Sequence, residues 1–312
     1  MYSSDRPRII TKNPDGKITQ ELRANIFVGE GTFGQVWRTT PCLPNKENQP
    51  LTFEVSEDKF PIRPVVIKHL KNISKRDFKE QMLLTKTEAR FLRCVHDNWK
   101  MDIAVLEDAL SLSIALVMPF YSGRTLEDIQ LLNLITLPEF FKLGIMIIEA
   151  VNAMHSKGII HLDLKAKNIL ANIKKHAVKD ICIVDFGMAE ENDFLIDQMT
   201  ASPHYDFTPY SSDRITEPHA LIKRLTAQPR HDYYSIAVIL GILLENKLVH
   251  IDDHDKKPIL LKIIETRDHY NLSQNKTDDN FQKLHMFFKN EGQASQSSLN
   301  QNEIDDIFAI DL

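Results

Sequence analysis

The run His161-Leu162-Asp163-Leu164-Lys165-Ala166-Lys167-Asn168, with Asp185-Phe186-Gly187 downstream, brings two carboxylates, lysines and an amide into two short loops. That donor set suits the transfer of a phosphoryl group from a magnesium nucleotide to a hydroxyl. In such a transfer one carboxylate orients the attacking hydroxyl and accepts its proton. An amide and a second carboxylate hold metal against the phosphates, and a lysine neutralises the charge on the group in flight. On this scheme Asp163 is the base, Lys165 steadies the transferring group, and Asn168 and Asp185 are the metal ligands. The competing reading makes Asp163 an ordinary loop aspartate and Asp185 a turn cap; the joint spacing of all four groups argues against it.

Loops of this kind work only on rigid supports. Ile159-Ile160 precede the first loop, Ile169-Leu170 follow it, and Ile181-Cys182-Ile183-Val184 lead into Asp185. These short apolar runs read as buried strands. Leu137 to Lys157 reads as a long amphipathic helix with Pro138 in its first turn and Gly158 closing it. Nearer the N-terminus, Gly29-Glu30-Gly31-Thr32-Phe33-Gly34-Gln35-Val36 fits G-x-G-x-x-G-x-V. A dinucleotide-binding motif of similar spelling opens a helix. Here Gln35-Val36-Trp37-Arg38-Thr39-Thr40 continues in β-formers, so the glycines belong to a hairpin whose backbone can approach phosphate oxygens closely.

With Val65-Val66-Ile67-Lys68 added, the chain resembles the eukaryotic-type protein kinases, whose patterns are G-x-G-x-x-G-x-V, V-A-I-K, H-R-D-L-K-x-x-N and D-F-G in this order. It departs at Leu162, where the family has arginine, and at Val66, where it has alanine. The resemblance runs from about Ile26 to about Lys247. It implies an α+β, two-lobed fold with a small β-rich N-lobe and a mainly helical C-lobe, and ATP with Mg2+ held between them. It assigns Lys68 a catalytic role on the α- and β-phosphates, with Glu88 on the next helix as its ion-pair partner; Glu80 lies on the same helix but nearer in sequence than the family's glutamate. Gly29, Glu30, Gly31, Thr32, Phe33, Gly34, Val36, Val66 and Leu170 line the nucleotide site. Ala115 to Gly123 resembles a strand entering the hinge, with Met118 at the gatekeeper position and the backbone of Pro119 and Tyr121 facing the adenine edge. Asp232-Tyr233-Tyr234-Ser235 resembles the start of the central C-lobe helix, whose aspartate anchors the catalytic loop.

The activation segment fits less well. Ser202-Pro203-His204-Tyr205 and Thr208-Pro209-Tyr210 offer two registers for a substrate-positioning loop, and no A-P-E follows, though Asp213 or Glu217 could stand for its glutamate. The resemblance implies an active serine/threonine kinase acting on a protein. Two alternatives stay open: a small-molecule phosphotransferase of the aminoglycoside or choline kinase type, and a nucleotide-binding pseudokinase scaffold.

The remaining signals set bounds. The 312 residues are 43% hydrophobic and carry a net charge of −5 with both signs interspersed, which gives no support for nucleic-acid binding. No apolar run reaches the length of a membrane span, and Cys42, Cys94 and Cys182 read as reduced thiols of a cytoplasmic protein. The host cytoplasm is the expected compartment if the chain is a viral or bacterial effector. We expect an N-terminal extension over 1–24, an N-lobe over 25–118, a C-lobe with a compressed end over 119–290 and a tail over 291–312. The polar stretch Gly292–Asn302 reads as a flexible linker.

Overall fold

The computed structural model describes residues 6–31, 34–42, 52–56, 65–70, 73–99, 103–108, 112–129, 135–193, 195–196, 225–245, 253–272 and 279–298. Thr32, Phe33, both substrate-loop registers, Asp213, Arg214 and Glu217 lie outside these residues. The chain forms two compact units, Met1–Tyr121 and Ser122–Leu312.

The first unit is built on a seven-stranded sheet. Its strands are β1 (Arg8–Lys12), β2 (Ile18–Gly31), β3 (Gly34–Cys42), β4 (Thr52–Ser56), β5 (Val65–Leu70), β6 (Ala104–Asp108) and β7 (Ser113–Pro119), in the order β4-β1-β2-β3-β5-β7-β6. Part of the expected N-terminal extension is thus sheet: β1 pairs antiparallel with β2 and parallel with β4, and Ile9, Leu22 and Ala24 are buried. The glycines do sit in a hairpin, since β2 and β3 pair up to Gly31 opposite Gly34. Gly34 has φ +133°, and a Cβ there would run into the His69 carbonyl, so only glycine fits.

Strand periodicity sorts β5 into two faces. Val65 and Ile67 join Trp37, Phe53, Ala115 and Val117 in one apolar cluster. Leu70 packs with Ile114 and with Met82 of the helix α1 (Phe78–Val95). Lys68 shares the parity of Leu70 and therefore points toward α1. On α1 the buried residues Met82, Thr85, Glu88, Ala89 and Leu92 recur at helical spacing, which brings Glu88 to the face that meets the sheet. Glu80 is exposed.

The second unit is mainly helical. Strand β8 (Arg124–Thr125) leads into α2 (Leu126–Ile129), and α3 (Leu137–Ser156) runs into β9 (Ile159–Ile160). Pro138 lies in the first turn of α3, and Gly158, at φ +73°, closes the end with its N–H on the His155 carbonyl (2.8 Å). A 310 turn at Ala166–Asn168 precedes β10 (Ile169–Lys174) and β11 (Ala177–Ile183), and β8, β10 and β11 form a three-stranded sheet. Two short pairings follow: β12 (Glu190–Glu191) with β9, and β13 (Leu195–Ile196) with β14 (Leu225–Thr226). The later described residues form three further helices, α4 (Pro229–Glu245), α5 (Asp253–Leu272) and α6 (Asp279–Ser298).

Helix α6 corrects the linker reading: the chain is helical through Ser298. Phe281, Leu284, Phe288 and Gly292 are buried at helical spacing. Phe288 lies over Gly144 of α3, where a Cβ would strike its ring, and a Cβ on Gly292 would sit 3.2 Å from Phe141. The polar composition there belongs to the outer face of a helix whose last buried residue among those described is Gly292, so the inward stripe reaches a position with no side chain.

Candidate active site

In the first unit, Lys68 donates from Nζ to both carboxylate oxygens of Glu88, at 2.8 and 3.0 Å. Both residues are buried, at 7% and 6% exposure. Removing either partner of a buried ion pair like this one is costly, because a charge taken out of water loses its opposite. Cross-strand register puts Val36 opposite Lys68 and Val66 opposite Met118, and Met118 is buried. Pro119 pairs with Val65 at the end of β7, so its missing N–H falls where the chain leaves the sheet for Tyr121. Gly29 pairs with Val36, and a Cβ there would meet no atom within 4 Å among the described residues, which leaves room beside the hairpin.

In the second unit, the loop after β9 carries Asp163. Lys165 Nζ donates to Asp163 Oδ2 at 2.6 Å. Asn168 Nδ2 donates to the Asp163 carbonyl at 2.8 Å and to its Oδ2 at 3.2 Å. With its nitrogen spent on Asp163, Asn168 has its side-chain oxygen left for a metal. Asp163 Oδ1 is buried and meets no hydrogen-bond partner among the described residues. Asp185 ends the next loop with φ +66°, an uncommon backbone state for a non-glycine residue and one that clusters at functional sites. Phe186 beside it is buried and lies against the His161 ring, centroids 4.8 Å apart. The same ring meets the Val184 carbonyl through Nε2 at 3.1 Å, and Val184 N–H donates to the Asn168 carbonyl at 2.9 Å. His161 is therefore a packing residue that ties the two loops together. Leu170 lies on β10 opposite Cys182 and Thr125.

Asp232, at the start of α4, holds this loop from beneath. Its carboxylate accepts from the N–H groups of His161 (2.8 Å) and Leu162 (2.9 Å) and meets His155 Nε2 at 2.8 Å. Burial works against its charge, yet the His155 hydrogen bond and charge, with His161 adding to them, hold the carboxyl below its ordinary range. The anchoring aspartate follows from the family resemblance; His155 does not, since nothing in the sequence connects positions so far apart. Leu162 takes the left-handed conformation (φ +64°) and packs with Ile160 and Ala227. An apolar contact stands where the family places arginine.

The oxygen donors of Asn168 and Asp185 fit Mg2+, which takes few protein ligands and keeps places for phosphate and water. No group of three or more His, Cys, Asp or Glu side chains forms a metal site among the described residues, and no helix described is long and apolar enough to cross a membrane.

Comparison with known proteins agrees with this geometry. The probable serine/threonine-protein kinase HSL1 of Saccharomyces cerevisiae is 34% identical over 155 residues, 47% of this chain and 9% of that protein. The serine/threonine-protein kinase KIN4 of the same yeast is 28% identical over 239 residues, 73% of this chain and 26% of its own length. The mouse proto-oncogene serine/threonine-protein kinase mos is 28% identical over 229 residues, 68% of this chain and 58% of that protein. The matched stretches thus span less than two thirds of each of these relatives. The protein kinase domain family matches residues 58–304, starting after the glycine hairpin and including Lys68, Glu88, Asp163, Asn168 and Asp185. On that match the chain belongs to the protein kinase family, and its β-rich and helical units are the two lobes of the kinase fold.

Proposed function

We propose that this chain is an active kinase that phosphorylates serine and threonine hydroxyls of a protein substrate, using ATP and Mg2+. The observation that carries this reading is the Asp163 carboxylate. Its Oδ2 is fixed by Lys165 and Asn168, while Oδ1 is buried with no partner among the described residues. An unmet buried acceptor costs stability and persists where something outside the fold fills it. A substrate hydroxyl is the natural donor: Asp163 orients it and takes its proton. The magnesium nucleotide, when bound, would supply the phosphoryl group and a positive charge to offset its phosphates. Asn168 and Asp185 would hold the metal, Lys68 would position phosphates with Glu88 keeping it extended, and Asp232 keeps the loop carrying Asp163 in its strained shape.

The serine/threonine preference rests on Lys165, two residues after Asp163, and on relatives whose names carry that specificity. The three cysteines are few, odd in number and without metal-ligand spacing, a composition that supports a reducing, cytoplasmic compartment. The test is transfer of labelled phosphate to a panel of protein acceptors, aminoglycosides and choline, followed by phosphoamino-acid analysis. Label on serine and threonine supports the proposal. Label confined to small molecules, or mainly on tyrosine, would overturn it.

A further inference from the structure

The hairpin between β10 and β11 turns through Lys175 and His176, both at positive φ (+49° and +61°). Two consecutive non-glycine residues in this conformation strain the backbone at a place where Asn-Gly would form the turn freely. The turn overhangs a cavity of about 360 Å3 lined by Ser122, Arg124, Ile129, Asn172, Lys175 and His176, among others. This volume is at the lower end of the range of about 300–1,000 Å3 typical of ligand sites. Its floor is apolar: Ile129 and Ala171 are 2% exposed. Its rim is cationic, and neither Arg124 nor Lys175 has an ion pair or hydrogen-bond partner for its side chain among the described residues. Asp180 on β11 lies opposite the lining residue Asn172 and accepts from its Nδ2 at 3.2 Å. The neighbouring acid Glu127 on α2 is taken by Lys167 at 3.3 Å.

An apolar floor with unpaired cations at its rim selects a particular ligand. A free inorganic anion would leave the floor empty, and a purely apolar group would leave the cations unanswered. We propose that this cavity is a second binding site, separate from the residues around Asp163, for an acidic peptide segment in which an apolar side chain is flanked by carboxylates or phosphates. The apolar side chain enters over Ile129 and Ala171, and the flanking anions meet Arg124 and Lys175. The charge on both cations is complementary to such a segment, and Arg can engage its oxygens bidentately.

The test uses the full chain and fluorescence anisotropy of a labelled heptapeptide, acetyl-Glu-Leu-Asp-Asp-Leu-Phe-Asp-amide. Its arms are the amide version with Gln and Asn for the acids, inorganic phosphate as competitor, and a salt series. Arg124→Glu and Lys175→Glu should each weaken binding about tenfold or more, and rising salt should weaken it further. Lys175→Gly removes the charge while suiting the positive φ, so it should weaken binding with thermal stability unchanged or raised. Asp163→Asn should bind the peptide as the unsubstituted chain does, which separates this site from the proposed catalysis. Equal binding by all variants, or equal binding of the neutral peptide, would overturn the proposal. Displacement by inorganic phosphate at concentrations matching the peptide's own would overturn it too, because the site would then hold a simple anion.

Discussion

Asp232→Asn perturbs a single side chain of α4, and its consequence can be worked from three hydrogen bonds. The carboxylate of Asp232 is fully buried and accepts from His161 N–H, Leu162 N–H and His155 Nε2. An asparagine offers one acceptor oxygen and one donor amide. The oxygen can keep one of the two backbone N–H groups; the amide then faces another donor. At least one buried N–H loses its partner, which costs about 1–3 kcal/mol, and a charge-assisted bond to His155 is lost besides. A total of about 3 kcal/mol would lower the melting temperature of a unit this size by roughly 6–12 °C. Leu162 is held at φ +64° by one of these bonds, so the loop bearing Asp163 should also relax and phosphoryl transfer should fall with stability. The pH dependence has a definite sign. The folded-state carboxyl of Asp232 titrates below its unfolded counterpart. Its contribution is therefore present above the unfolded value of about 3.9 and disappears as pH falls through the folded value. Differential scanning fluorimetry of both proteins at about pH 7 and in steps toward about pH 3 should show a gap that narrows in acid. A gap under about 2 °C at neutral pH, or one that widens in acid, would refute the reasoning.

Three further outcomes follow from the geometry. Glu88→Gln removes the carboxylate charge from the buried Lys68 ammonium, so the N-terminal unit should lose stability and nucleotide-dependent turnover should drop, as read by chemical denaturation and initial rates. Leu162 fills an apolar contact with Ile160 and Ala227 and has no charge to receive an activation-segment phosphate; phosphatase-treated protein should keep its initial rate, and a tenfold loss restored by rephosphorylation would contradict this. Burial, with the Asp180 charge beside it, pushes the Cys182 thiol up to about 12, so a maleimide at about pH 8 should label exposed Cys94 and spare Cys182 by peptide mapping.

The motif residues were legible in the sequence because their chemistry fixes both residue type and spacing. Lys68 and Glu88 meet as strand parity and helical spacing require, and Asp163, Lys165 and Asn168 converge within one loop and one turn. What escaped was set by long-range packing. The His155 contact with Asp232 joins residues 77 positions apart, and no local pattern encodes it. Helix α6 hid because its inward stripe includes Gly292, which has no side chain to mark it, and its exposed described residues are mostly polar. Strand β1 hid in a short polar stretch because its stability comes from pairing with β2 and β4 rather than from its own composition.

The central claim is that Asp163 acts on the acceptor hydroxyl and does not merely shape the loop. Asp163→Asn retains an oxygen and an amide of the same size, so the loop should fold. Single-turnover phosphoryl transfer and nucleotide affinity should be measured on one preparation of this variant beside the unsubstituted chain. The account predicts a fall in transfer of about 10²-fold or more with nucleotide affinity and melting temperature nearly unchanged. Transfer at close to the original rate, or a loss explained entirely by weaker nucleotide binding, would contradict it.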